Sequence, residues 1–292
     1  MTPHVPPEPG TLPVHDPYIT LLCNDFEAAE ALASMRWGKQ FSCRRCGCDR
    51  ATHLRCRPRV WECHSCGAFN SVTAGTVFHR TRLPLAKILL AAFLMSRRYG
   101  ISSNQLRLIL GTRSGTAWQL GHRFRHALQQ ASRPVDAPVQ VYTCALRPRR
   151  SKIPAREREP PLITVFAARD PAGRLAVGLA DLDRARALSQ LLDGKVVPHE
   201  PTPIPPVQYP GVLHDLQRMI NGTHQRVSRR WSERYVVGWA MLAGESDRCA
   251  ALMKAAMACE PRPWRHLQPS DLRQTRTRPQ APVSEPPADR AT

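Results

Sequence analysis

Three observations predict a multidomain α+β fold. Two Cys-x2-Cys pairs sit between positions 43 and 66. Apolar residues then recur at helical spacing from Pro84 to Gln129. Beyond Pro138 the texture changes to short apolar runs separated by turn residues, the mark of strands mixed with helices. The chain thus divides into a cysteine-rich module, a three-helix bundle and an α/β domain.

The bulk composition narrows the partners. The formal net charge is +19 over 292 residues, which favours a polyanion such as nucleic acid. Between Arg36 and Arg133 there are 18 Lys and Arg against two carboxylates, Asp49 and Glu62, so the excess concentrates in one third of the chain. The longest apolar run, Ile88 to Met95, is too short to span a bilayer, so no membrane partner is expected. No basic start followed by an apolar stretch marks a signal peptide, and the first Arg comes at position 36, against a transit peptide. A cytosolic location follows, and with it a preference for metal or free thiols over disulfides among the ten cysteines.

In chain order, residues 1–13 are Pro-rich and expected to be disordered. Asp25 to Met35 reads as a helix whose acidic first turn suits its dipole. A helix from Pro84 to Arg98 places Leu85, Ile88, Leu89, Ala92 and Met95 on one face, with Pro84 at the first helical position. A second spans Ser102 to Leu110 and stops at Gly111. A third, Ser114 to Gln129, carries Ala117, Leu120, Phe124 and Leu128 on one face. Two helices joined by a tight Gly-containing turn, with Arg113, Arg123 and Arg125 on the second, form a helix-turn-helix pattern. The same periodicity would serve a three-helix bundle with no nucleic-acid role. Further on, 139–146, 162–168 and 174–181 read as strands, the last two joined at Asp170-Pro171-Ala172-Gly173. A helix is expected over 182–192, a loop over 198–210, and helical segments over 211–219 and 227–259. The resulting units are 1–13, 14–72, 73–133, 134–259 and a disordered basic tail over 260–292.

The cysteine spacing carries the most specific chemistry. Cys43, Cys46, Cys63 and Cys66 form two knuckles sixteen residues apart, the spacing of a zinc ribbon. Each knuckle aims two thiolates at one ion, and the pair completes a tetrahedral, structural Zn2+ site with no open position. Gly47 and Gly67 follow the second cysteine of each pair, where the knuckle needs an unhindered backbone. A redox dithiol or metal-free cysteines would not require these matched glycines. Cys48 and Cys56 are spare thiols, Cys48 being near enough in sequence to compete as a ligand. Arg44, Arg45, Arg50, Arg55, Arg57 and Arg59 are expected to give the ribbon a positive, phosphate-contacting face.

The runs RWGKQFSCRRCG, VWECHSCGAFNSVTAGTVFHRTRLPL and SSNQLRLILGTRSGTAWQLGHRFRHAL resemble bacterial insertion-sequence transposases of the ISXO type. The resemblance is dense from Asp25 to Leu128 and resumes more thinly in YPGVLHDLQRMINGTHQRVS, residues 209–228. It implies a zinc ribbon, a helix-turn-helix and an RNase H-like catalytic domain in that order, with double-stranded DNA at element ends as partner. It also implies a homodimer and a place at the bacterial nucleoid.

The family's reaction needs acidic residues that hold two Mg2+ ions for phosphodiester hydrolysis and strand transfer. Here Tyr142 stands at the first ligand position, Val196-Val197 runs straight into Pro198 where the second belongs, and Gly238 stands at the third. None of these can hold Mg2+ well. Asp170, Asp181, Asp183 and Asp215 each have a structural explanation in a turn, a helix start or an amphipathic segment. The sequence therefore predicts a DNA-binding member with a degenerate RNase H-like domain, a lost Mg2+ site and no catalytic residues. The alternatives are an active transposase whose carboxylates lie elsewhere, and a zinc-ribbon module for protein or RNA. Arg113, Ser114 and Thr116 are expected to face the major groove, and Arg123 and Arg125 to meet phosphate or solvent. Trp118 and Phe124 are expected in the core.

Overall fold

The computed structural model describes residues 24–132, 140–146, 163–169, 175–180, 211–225 and 227–262. The expected Pro-rich start, the Asp170–Gly173 turn, the helix over 182–192, the loop over 198–210 and the tail from 263 lie outside the described residues. So do Val196 to Pro201, Asp181 and Asp183.

Helix α1, Asp25–Trp37, begins where the Asn24 side chain accepts a hydrogen bond from the Phe26 N–H, a side-chain N-cap. It ends at Gly38, whose φ of 67° only glycine adopts cheaply. A three-stranded antiparallel sheet follows, β1 (Ala51–His53), β2 (Val60–Cys63) and β3 (Phe69–Ser71), in the order β1-β2-β3. His53 and Trp61 are opposite each other across β1 and β2, with rings stacked at 4.0 Å. Phe26 of α1 stacks on the other side of His53 at 3.9 Å, so an aromatic sandwich fastens the helix to the sheet.

Helix α2 spans Leu85–Ser96, α3 Ser103–Leu110 and α4 Ser114–Ala131. Pro84 is the cap of α2 rather than its first residue, one position from the expectation, because its ψ of 139° is extended. Ser102 and Gln105 form a reciprocal capping box at the start of α3. Gly111 ends α3 in the left-handed region, its N–H bonding the Arg107 and Leu108 carbonyls. The expected apolar faces are the buried ones at Leu85, Ile88, Leu89 and Ala92 of α2 and at Ala117, Leu120, Phe124 and Leu128 of α4, whereas Met95 of the α2 face is only half-buried. Trp118 is only half-buried, a correction to its expected place in the core.

Strands β4 (Gln140–Leu146), β5 (Ile163–Arg169) and β6 (Leu175–Ala180) form a second antiparallel sheet in that order. Helix α5, Gly211–Arg218, runs into a π-helical turn over Met219–Thr223. The expected helical stretch from 227 is two helices, α6 (Arg229–Ala243) and α7 (Arg248–Ala258). They divide because Asp247 caps α7, its carboxylate accepting from the Ala250 N–H at 2.9 Å.

Helix α7 packs against α1, α2 and α4. One buried apolar cluster accordingly runs from Ala28 and Leu32 through Phe78, Leu89 and Phe124 to Leu252, Met253 and Ala256. Among the described residues no helix is long and apolar enough to cross a membrane.

Candidate metal centre and nucleic-acid interface

The two knuckles are built alike. Gly47 N–H bonds the Cys43 carbonyl at 2.9 Å, and Gly67 N–H bonds the Cys63 carbonyl at 3.0 Å. Each glycine has positive φ, 73° and 61°, so the chain reverses tightly enough to turn both sulfurs inward. Strand β2 ends at Cys63 and delivers the second knuckle opposite the first.

The four sulfurs of Cys43, Cys46, Cys63 and Cys66 lie within 4.8 Å of one another. Cys43 and Cys66 are 3.7 Å apart at Sγ, and Cys46 and Cys63 are 3.6 Å apart. A tetrahedron with Zn–S bonds of about 2.3 Å sets its sulfurs about 3.8 Å apart, so the residues present fit the ion. Cys63 is buried, and desolvation pushes its thiol up to about 12. The N–H of Cys46, with further donors, brings Cys43 down to about 6. A quartet with such unequal thiols becomes uniformly anionic only against a cation. Cys48 is outside the quartet, its sulfur turned to the Arg50 carbonyl at 3.6 Å, and Cys56 is exposed. Cys48 therefore does not compete as a ligand.

Asn70 supports the centre, and the ligand spacing gave no sign of it. Its amide donates to Cys43 Sγ at 3.5 Å and to the Ala68 carbonyl at 2.9 Å, while its oxygen accepts from the Arg44 N–H at 3.0 Å. It is 4% exposed. Such a residue orients a ligand sulfur and the knuckle backbone together. An asparagine on a short strand looks like turn chemistry in sequence, which hides the role.

The arginines fall into two groups. Arg44, Arg45, Arg50, Arg55 and Arg57 are exposed around the ribbon, Arg57 lying over the exposed Phe69 ring at 5.5 Å. Arg59 departs from the expected phosphate-contacting face. Its guanidinium donates to the Thr81 carbonyl at 2.7 Å and to the Leu83 carbonyl, holding the segment before α2. Arg36 works the same way from α1, donating to the carbonyls of Ser71, Val72 and Ala74. A peptide carbonyl satisfies a guanidinium without placing a second charge in the interior.

On α4, Arg113 is the exposed N-cap residue, with no side-chain cap bond, and Ser114 is exposed after it. Thr116 and Arg123 are half-buried, and burial lowers the Arg123 pKa. Arg125 is a correction: it is 7% exposed, far from the expected phosphate or solvent. Its guanidinium stacks on the Tyr235 ring at 3.8 Å. Gly121 and Gly238 leave it room, since a Cβ at 121 would stand 2.9 Å from Arg125 Nη1 and one at 238 would stand 3.6 Å from its Cγ.

Of the positions the resemblance assigns to metal-binding carboxylates, Tyr142 lies on β4 and Gly238 on α6. Asp215 of α5 accepts from Arg98 Nε at 2.9 Å and is thereby engaged in an ion pair. Among the described residues the cysteine quartet is the one group arranged to hold a metal.

Neither a curated protein nor a solved structure matches the chain. Residues 23–68 match the transposase zinc-ribbon domain, which covers α1, both knuckles and strands β1 and β2. The match and the sulfur geometry together support a structural Zn2+ and relate the N-terminal region to transposases.

Proposed function

We propose that this is a transposase-related protein that binds double-stranded DNA through its zinc ribbon and a helix-turn-helix, without cleaving or joining strands. The observation that carries the reading is a four-cysteine ribbon of the transposase type followed by α3, Gly111 and α4 with Arg113 and Ser114 exposed at the start of α4. The second helix of such a pair enters the major groove by its N-terminal residues. Arg113, Ser114 and Thr116 read base edges there, while Arg44, Arg45 and Arg123 neutralise phosphates. The first turn of α4 holds no carboxylate, so nothing on that turn opposes a phosphate near its N–H groups.

The catalytic half of the family's function is absent in this reading. Tyr142 and Gly238 replace two ligands, and Asp215 is committed to Arg98. A two-metal mechanism loses its Mg2+ ions when these oxygens go. The residues 14–72 and 73–133 are the DNA-binding units in this reading, and 134–259 is a degenerate RNase H-like domain.

The test is a gel shift on duplexes carrying element ends, with and without a zinc chelator, beside a nicking assay in Mg2+ or Mn2+. Salt-sensitive binding that chelation abolishes, with no nicks, is the expected result. Nicking by the purified chain would restore the active-transposase reading. Arg113→Ala should weaken specific binding by about 1–3 kcal/mol, and an unchanged affinity would remove it from the interface.

A further inference from the structure

A cavity of about 1420 Å³ opens between the start of α3, the inner face of α4 and the C-terminal helices, well away from the four cysteines. Typical small-molecule sites are roughly 300–1,000 Å³, so this one has room for a segment of a polymer. Its walls combine three kinds of group. Trp118 and Trp231, edge to face at 5.1 Å, supply aromatic surface and are both half-buried. Asn104, Gln217 and Asn221 supply amides that both donate and accept. Arg218 supplies a positive charge, and none of the described lining residues is Asp or Glu.

His224, half-buried on the inner wall, adds a further donor and acceptor. Burial and nearby Arg125 lower it to about 3, so its imidazole is neutral at physiological pH. A neutral imidazole offers one N–H and one lone pair, the pattern that matches the edge of a base. The backbone here is also unusual. The π-helical turn Met219–Thr223 and Gln225, at a φ of 49°, form part of the wall. π-turns and left-handed non-glycine residues concentrate where a fold shapes a site.

We propose that this cavity takes an unpaired stretch of a nucleic-acid strand, with bases stacked on Trp118 and Trp231 and a phosphate at Arg218. Aromatic faces stack any base, amides and the neutral His224 imidazole meet its polar edge, and an acid-free wall tolerates the backbone charge. The assignment is independent of duplex binding by α4, because it uses different side chains.

The full zinc-loaded chain should be titrated with labelled eight-nucleotide single strands, one of DNA and one of RNA, and with a DNA duplex of matching sequence. Single-strand binding should quench tryptophan fluorescence, and the tighter of the two strands identifies the sugar. Trp231→Leu should weaken that strand by about fivefold to a hundredfold. Asn221→Ala, at an exposed position that the fold does not need, should weaken it severalfold, and both variants should hold duplex affinity within twofold. The proposal is overturned if neither strand quenches fluorescence. It is equally overturned if Asn221→Ala binds the strand like the parent, or if both variants lose strand and duplex alike.

Discussion

The ribbon and the α4–α6 contact are both rich in basic residues, yet they are held together in opposite ways. In the ribbon most arginines stand in solvent and order comes from four sulfurs arranged for one ion. At the α4–α6 contact the basic groups go inside: Arg125 is 7% exposed, His122 1% and His126 3%. Arg125 is instead stacked on the Tyr235 ring. The difference teaches that charge composition says little about stability until burial is known. An exposed arginine costs almost nothing to keep, whereas a buried one must be offset by stacking or a carbonyl.

Removing zinc is the largest perturbation the contrast predicts. Structural zinc contributes about 10–16 kcal/mol of apparent binding energy in small metal-ordered modules. Chelation, or Cys63→Ser, should therefore abolish the β1–β3 sheet and DNA binding, while most helical circular dichroism remains. Equal loss of helix and sheet would mean that the helical body depends on the metal too.

Acid should act on the other region first. Desolvation lowers His122 to about 2, His126 to about 4 and His224 to about 3, against an ordinary value of 6.5. Below pH 6.5 the unfolded chain binds protons that the folded chain refuses. The stability is complete above that pH and falls as pH drops toward 4, by about 1.4 kcal/mol per unit for each histidine. Helical signal followed against pH, with excess zinc, should decline within this window. Helices that persist below pH 4 would mean the imidazoles are not buried neutral.

The smallest effect concerns Arg125. Its Nη1 has no hydrogen-bond partner, and desolvation lowers its pKa. Exchanging a buried charge for an apolar chain of similar volume is often stabilising by about 1–4 kcal/mol. Arg125→Met should raise the melting temperature by several degrees. A fall would show that stacking on Tyr235 outweighs the desolvation.

What the sequence disclosed follows from how local each feature is. The quartet was legible because two residues between ligands and a glycine after each pair are properties of one short turn. The α3–Gly111–α4 unit was legible for the same reason, through the apolar spacing of its helices and the Gly111 stop. Arg36 and Arg59 were not, since their bonds go to backbone carbonyls some 20 to 40 residues away, which carry no side-chain signature, and Asn70 was not, since the sulfur it meets is 27 residues away. The burial of Arg125 was hidden further still. Helical periodicity showed which face of α4 is apolar, but the facing Tyr235 and Gly238 come from a helix a hundred residues on.

The carbonyl clamps of Arg36 and Arg59 have a mechanical consequence. Together with the Val77 N–H bond to the Ala256 carbonyl at 3.4 Å, they fasten the segment between β3 and α2 to α1, to the ribbon and to α7. Two contact surfaces on a slack tether sample many separations and add little to one another. Held on one frame, the two surfaces proposed to contact DNA would act as a caliper with a fixed opening. Such a device measures the distance between two points on its target, so inserting a few base pairs between them should cost affinity as surely as changing a base.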